Sequence, residues 1–253
     1  MPEAFPNKWM ICEKAREAAA LRLFCFSYAG GGASAYRGWA DGLPSSVEVY
    51  WIQLPGRENR LSEPLYTSLA ELAPGIADNI LNALDRPFAF YGHSLGGKIA
   101  FETLHELRTA GHYPSAFFAG ASPAPHLPWL HPSMHELPEK KLLDEIQKRY
   151  GGVPSQVAED PELRALLIPT LRADLRLTET SLPRRASIDC PLTVFGGTND
   201  PTVSVEELEA WRCQTNGPFR RHMIPGDHFF LRGARGTLLG LIEAELRIAG
   251  LIP

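Results

Sequence analysis

The pentapeptide Gly92-His93-Ser94-Leu95-Gly96 constrains this chain more than any other stretch. An apolar, aromatic run from Pro87 to Tyr91 precedes it, and a segment of helical periodicity from Lys98 to Ala110 follows. G-x-S-x-G between a strand and a helix is the setting of a nucleophile elbow, a strained turn that lifts a serine Oγ above the end of a sheet. A serine in a sparsely allowed conformation brings the backbone two residues either side so close that a Cβ would collide, which gives both glycines a steric reason. The pattern alone arises often by chance, so its weight rests on what surrounds it.

The surroundings are those of an α/β fold. Lys8 to Cys12 reads as a short edge strand, and Leu21–Phe26, Val47–Leu54, Ser115–Ala121, Cys190–Gly197 and Phe219–Ile224 read as buried strands. Helices are expected at Ala35–Leu43, Ser68–Leu84, Lys98–Ala110, Ser204–Cys213 and Thr237–Leu246, with Pro74 either kinking the second or marking its first turn. The polar stretch Arg57 to Glu63 reads as a surface loop. Strand and helix alternate, which implies a mostly parallel central sheet with helices on both faces. The alternation fails between Ala124 and Ser187, where Pro138–Tyr150, Asp160–Ile168 and Pro169–Thr180 look helical and nothing looks like a strand. An insertion of this size, about 126–186, is expected to be a helical lid within one domain spanning 1–253.

Composition narrows the function classes. Lys and Arg number 25 against 29 Asp and Glu, giving a net charge of −4 without a basic or acidic block. That argues against nucleic acid or an anionic membrane as the main partner. No run approaches the ~18 apolar residues of a membrane span, and Met1 to Ala20 lacks the apolar core of a signal peptide. Cys12, Cys25, Cys190 and Cys213 are widely spaced, which suits free thiols in a reducing compartment. A cytoplasmic monomer is the expectation.

Three residues line up with the elbow. Ser94 follows one strand, Asp200 follows a later one in Thr198-Asn199-Asp200-Pro201, and His228 follows the last in Pro225-Gly226-Asp227-His228. The order Ser, Asp, His is that of the α/β-hydrolases. All three sit past the carboxyl ends of parallel strands, so one sheet edge gathers them. A serine hydroxyl needs a base, an imidazole supplies one near neutrality, and a carboxylate fixes the imidazole's tautomer. Rivals are weaker. His93 is expected to point away from the site, His222 alternates within a strand, and His105 and His112 belong to the elbow helix and its end. Asp189 precedes its strand, and Asp227 is too near His228 in sequence. His126, His131 and His135 lack ligand spacing and a completing cysteine or carboxylate, so no metal is expected. The three glycines of Ser27-Tyr28-Ala29-Gly30-Gly31-Gly32, directly after a strand, suit a loop that turns backbone N–H groups toward a negative charge.

These residues carry a resemblance that runs over nearly the whole chain. Phe26-x-Tyr28-Ala29-Gly30-Gly31, Gln53-Leu54-Pro55-Gly56-Arg57-x-x-Arg60, Gly92-His93-Ser94-Leu95-Gly96, Arg172-Ala173-Asp174 and Pro225-Gly226-x-His228-Phe229-Phe230 together resemble a type II thioesterase, a stand-alone editing enzyme of polyketide synthases and nonribosomal peptide synthetases. The chain departs from that pattern at Ser27, where Pro is usual, at Gly97-Lys98, where small residues are usual, and in Ala121 to Pro125, which lacks a common Arg. The resemblance implies hydrolysis of acyl groups from the phosphopantetheine thiol of acyl or peptidyl carrier protein domains, through an acyl-Ser94 intermediate. It implies an oxyanion hole from the N–H groups of Ala29 and Leu95. No cofactor is implied beyond the phosphopantetheine that the substrate carries. Tyr28, Trp129, Met134, Leu167, Ile168, Leu171 and Phe229 are candidates for the substrate pocket and lid, although each of those in the insertion, taken singly, suits lid packing better. Lys140, Lys141, Lys148 and Arg149 offer a basic patch for an acidic carrier, or simply a solvated helix face. The Met1 start suggests a free-standing enzyme. The competing reading is a general carboxylesterase or lipase-like hydrolase with the same three residues.

Overall fold

The computed structural model describes residues 7–151 and 160–253. Seven strands form one sheet: β1 Met10–Cys12, β2 Leu21–Phe26, β3 Val47–Ile52, β4 Phe88–His93, β5 Ala116–Gly120, β6 Leu192–Gly197 and β7 Phe219–Ile224. Their spatial order is β1-β3-β2-β4-β5-β6-β7, with β1 antiparallel on the edge and every other pairing parallel. The chain runs from β2 outward to β3, then returns past β2 to lay down β4. That reversal opens a crevice at the carboxyl ends of β2 and β4, where open α/β sheets take their ligands.

The inner strands are buried on both faces because helices cover both. Phe24, Phe26, Phe90 and Ile52 point into a layer shared with α1 (Leu69–Ile80) and α2 (Leu95–Thr109). Leu21, Leu23, Cys25, Val47 and Val49 point the other way, against Tyr36, Trp39 and α7 (Arg235–Ile248). Each fully buried Leu or Phe contributes about 1.5–3 kcal/mol, so these two layers hold the sheet edge that carries the site.

Between β5 and β6 lie α3 (Glu139–Tyr150) and α4 (Pro161–Thr180), whose apolar faces meet in a third cluster of Met134, Leu142, Ile146, Ile168, Leu171 and Leu175. Residues 152–159 of the expected lid fall outside the described residues. Among the described residues, no helix is long and apolar enough to cross a membrane.

Several expectations need correction. The two helices expected around Ile168 and Pro169 are one, α4, with Pro169 inside it and Asp160 capping its start through bonds from the Glu162 and Leu163 amides. Ala35–Leu43 is not a helix. It forms two 3₁₀ turns, Ala33–Tyr36 and Ala40–Gly42, separated by Gly38 at φ +78°. Pro74 lies inside α1, which ends at Ile80 in a 3₁₀ turn. The Ser204 helix is only α5 (Val205–Glu209), opened by a Ser204–Glu207 capping box and continued as a 3₁₀ turn. The last helix is preceded by a single turn, α6 (Phe230–Gly233). The segment Arg57–Glu63 is not a plain surface loop, because Arg57 and Arg60 are buried. Arg60 lies 4.1 Å over the Trp9 ring, donates to the Gln53 carbonyl at 2.8 Å and pairs with Glu63 at 2.7 and 3.0 Å.

Candidate active site

Ser94 sits between β4 and α2 at φ 53°, ψ −118°. A non-glycine residue there costs on the order of 1–3 kcal/mol and persists only where its surroundings hold it. Here they do. A Cβ on Gly92 would stand 2.3 Å from the Gly96 carbonyl oxygen, and one on Gly96 would stand 2.0 Å from that of Phe26. The elbow therefore packs backbone against backbone, which only glycine allows.

Asp200 and His228 come from the loops after β6 and β7. The Thr198 amide donates to the Ile224 carbonyl and the Asn199 amide to that of Gly226, both at 2.9 Å, so the two loops are stitched together. His228 Nδ1 then lies 2.8 Å from Asp200 Oδ2. Thr202 completes the arrangement, donating from its amide at 2.8 Å and from its hydroxyl at 2.6 Å to Asp200 Oδ1, with that hydroxyl 2.9 Å from His228 Nδ1. Burial works to raise the Asp200 pKa, but the hydrogen bond and charge of His228, helped by Thr202, hold it below the ordinary value. A carboxylate facing Nδ1 places the imidazole proton there and leaves Nε2 as the basic nitrogen. Asp189 and Asp227 are occupied elsewhere, the first by Asn216 at 2.8 Å and the second by the Phe229 amide at 2.8 Å.

His93 points behind the site, yet it is connected to it. Its Nε2 lies 2.8 Å from the His228 carbonyl and its Nδ1 lies 2.9 Å from the Tyr91 hydroxyl. A carbonyl can only accept, so Nε2 carries the proton and Tyr91 donates to Nδ1. Burial, reinforced by nearby His228, pushes the His93 pKa down to about 3. A neutral imidazole therefore supports the backbone of His228 from below.

Two cavities meet at Ser94. The larger, about 470 Å³, runs past Leu95, Lys98, Ser122, Trp129, Lys148 and Arg149. The smaller, about 240 Å³, is enclosed by Tyr28, Ile146, Leu167, Leu171, Leu175 and Phe229. Ser94, Tyr150, Thr178 and His228 line both. The Tyr150 ring crosses that of His228 edge to face, 5.0 Å between centroids. Lys98, one turn along α2 from Ser94, donates to the Thr178 carbonyl at 3.2 Å and to Ser181 Oγ at 3.3 Å, and burial lowers its pKa to about 8.

The Thioesterase domain family matches residues 21–246. The chain belongs to the thioesterase family. A gramicidin S biosynthesis protein, GrsT of Aneurinibacillus migulanus, is 39% identical over 244 residues, covering 96% of this chain and 95% of that protein. The structure of RedJ, a thioesterase of the prodiginine pathway in Streptomyces coelicolor, is 39% identical with a TM-score of 0.85 over 92% of both chains. BorB, a type II thioesterase from the borrelidin biosynthetic cluster, is 30% identical with a TM-score of 0.84 over 95% of this chain and 97% of its own.

In this thioesterase the expected pocket residues divide in two. Tyr28, Leu167, Leu171 and Phe229 line the smaller cavity and Trp129 the larger. Met134 and Ile168 line neither; both are buried in the lid's own core, where α3 and α4 need them for packing. Lys148 and Arg149 border the larger cavity, whereas Lys140 and Lys141 are exposed at the opposite end of α3. His126 contacts Gln214, His131 meets Trp129 edge to face, and His135 meets Glu179, so the three histidines face different partners. All four cysteines are free thiols. Ala29 and Gly30 border the smaller cavity beside Ser94, and among the described residues the Ala29 N–H has no hydrogen-bond acceptor. Leu95, as the first residue of α2, has an N–H without an intrahelical acceptor.

Sequence reasoning missed Thr202 and Tyr150, and it assigned no role to Arg57 and Asp174 although both stand in motifs that carry the resemblance. Thr202 had a local signal, since Asp-x-Thr readily closes a turn in which the aspartate accepts from the amide two residues on. Asp174 is fully buried in α4, its carboxylate gripped by Arg57 at 2.7 and 2.8 Å and by the Gly30 amide at 2.7 Å.

Proposed function

We propose that this enzyme hydrolyses acyl groups from the phosphopantetheine thiol of acyl or peptidyl carrier domains, removing stalled units in polyketide or nonribosomal peptide synthesis. The observation that supports this most directly is Ser94 standing where two mostly apolar cavities meet, next to the Asp200–His228 pair, with Lys148 and Arg149 bordering the larger and Arg232 the smaller. The acyl group enters the smaller, apolar cavity. The pantetheine arm occupies the larger one, with Lys148 and Arg149 near its phosphate.

Ser94 Oγ attacks the thioester carbonyl carbon as His228 Nε2 takes its proton. The oxygen that becomes negative is held by the N–H groups of Ala29 and Leu95, and losing one such donor costs about 10²–10³ in rate. Collapse breaks the C–S bond. The thiolate of a thiol with a pKa of about 8.5 leaves easily and takes the proton from His228, which is thereby neutral again for the second half of the reaction. A water deprotonated by His228 then attacks acyl-Ser94 and releases the carboxylic acid. The reaction draws on no metal or redox group.

The test compares one short acyl group on a phosphopantetheinylated carrier, on coenzyme A and as a p-nitrophenyl ester, with Ser94→Ala as control. Preference for the carrier, lost in Ser94→Ala, is the expected result. Equal or better turnover of the simple ester would replace this reading with a general esterase.

A further inference from the structure

The ion pair between Arg57 and Asp174 joins parts of the chain with no sequence proximity. Asp174 is on α4 in the lid, and Arg57 is on the loop after β3. The pair is bidentate, with Nη1 to Oδ2 at 2.7 Å and Nη2 to Oδ1 at 2.8 Å. Both ends also hold the glycine loop after β2. Asp174 Oδ2 accepts from the Gly30 amide at 2.7 Å, and Arg57 Nη1 donates to the Gly31 carbonyl at 3.1 Å. Further along that loop, Gln53 accepts from the Ala33 amide at 3.0 Å and donates to the Arg57 carbonyl at 3.0 Å.

A buried ion pair is a poor way to gain stability, because desolvating two charges offsets most of their attraction and an apolar pair often does as well. What it supplies is geometry. A carboxylate and a guanidinium that satisfy each other leave little rotational freedom to groups bonded to either. Gly30, at φ +74°, holds a conformation that glycine takes most readily, and its amide is fixed on the Asp174 end of the pair. With Gly30 N–H and Gly31 C=O both committed, the adjoining Ala29, which borders the small cavity beside Ser94, keeps an N–H that has no acceptor among the described residues.

We propose that Arg57 and Asp174 are positioning residues for the oxyanion donor: the lid helix holds the glycine loop so that Ala29 N–H points at the developing charge. This rests on the proposed serine mechanism. α4 is tied to the loop after β3 at a second point, through Thr170 to the Gly56 carbonyl at 2.9 Å.

The test uses p-nitrophenyl acetate, which needs neither carrier nor long pocket, on the full chain. Asp174→Asn is expected to lower kcat by about 10- to 100-fold with KM within about two-fold, because a donor misplaced by an ångström forfeits the transition state and not ground-state binding. Affinity for a trifluoromethyl ketone, which forms a tetrahedral oxyanion on the serine, should fall in parallel with kcat/KM. Because Asp174→Asn leaves a buried arginine unpaired, the double variant Arg57→Met with Asp174→Leu is the folding control. It should recover the thermal midpoint and keep the low kcat. A double variant with wild-type kcat, or a loss confined to KM, would overturn the proposal. Activity surviving in Ser94→Ala would instead overturn the underlying serine mechanism.

Discussion

Replacing His93 by Gln should make the fold less sensitive to acid, although it removes a buried ring. In the folded protein the His93 pKa is about 3, against an ordinary 6.5. The unfolded chain therefore binds a proton between these values that the folded chain refuses, and stability falls as pH drops through 6.5 toward 3. Linkage over that interval gives a loss of about 0.2 kcal/mol at pH 7, about 2 kcal/mol at pH 5 and about 3 kcal/mol at pH 4 from this one group. Other groups titrate in the same range. Asp200, with its depressed pKa, also loses stabilisation as acid protonates it, so the wild-type curve alone does not isolate His93. The difference between wild type and His93→Gln does. Urea unfolding followed by the fluorescence of the buried Trp39 and Trp211 provides the assay. The variant should be less stable at pH 7, and its deficit should shrink by about 2 kcal/mol on going to pH 5. A deficit that stays constant from pH 7 to 5 would mean that His93 titrates normally, and one that grows would mean that it is already charged; in either case the support of His228 by a neutral ring would fall.

Other outcomes follow from the same geometry. Asp200→Asn should lower kcat by about 10⁴ while the protein still folds, since an amide presents the wrong partner to Nδ1, and steady-state kinetics with a folded-state spectrum checks both halves. Gly96→Ala should destabilise the protein by about 1–3 kcal/mol or prevent folding, because its Cβ meets the Phe26 carbonyl at 2.0 Å, and denaturant midpoints measure the loss. Lys98→Met removes an ammonium whose pKa burial has lowered to about 8. Below pH 8 both folded and unfolded wild type hold that proton and the full penalty is present, while from 8 toward 10.5 wild type gains stability. The variant's advantage, about 1–3 kcal/mol after its lost bonds to Thr178 and Ser181, should therefore shrink as pH rises from 7 to 10 in thermal melts.

The parts of this protein that were legible in sequence are those encoded locally. Strands announced themselves by apolar, aromatic runs, and the elbow by two glycines at fixed spacing. Asp200 and His228 were legible because topology places the loop after each parallel strand on one edge. What escaped notice was nonlocal or depended on tertiary support. Pro169 seemed to divide two helices, but packing of Ile168 and Leu171 into the lid core carries α4 through it. Arg57 and Arg60 seemed solvated because arginine usually is, and nothing nearby announced Asp174, 117 residues away, or the Trp9 ring. His93 was correctly placed off the reaction side, yet its hold on the His228 carbonyl spans 135 residues and left no local trace.

The meeting of two cavities at Ser94 makes the enzyme a gauge with two jaws. On the assignment proposed above, the chamber on the carbon side is the smaller, at about 240 Å³ against about 470 Å³ on the sulfur side.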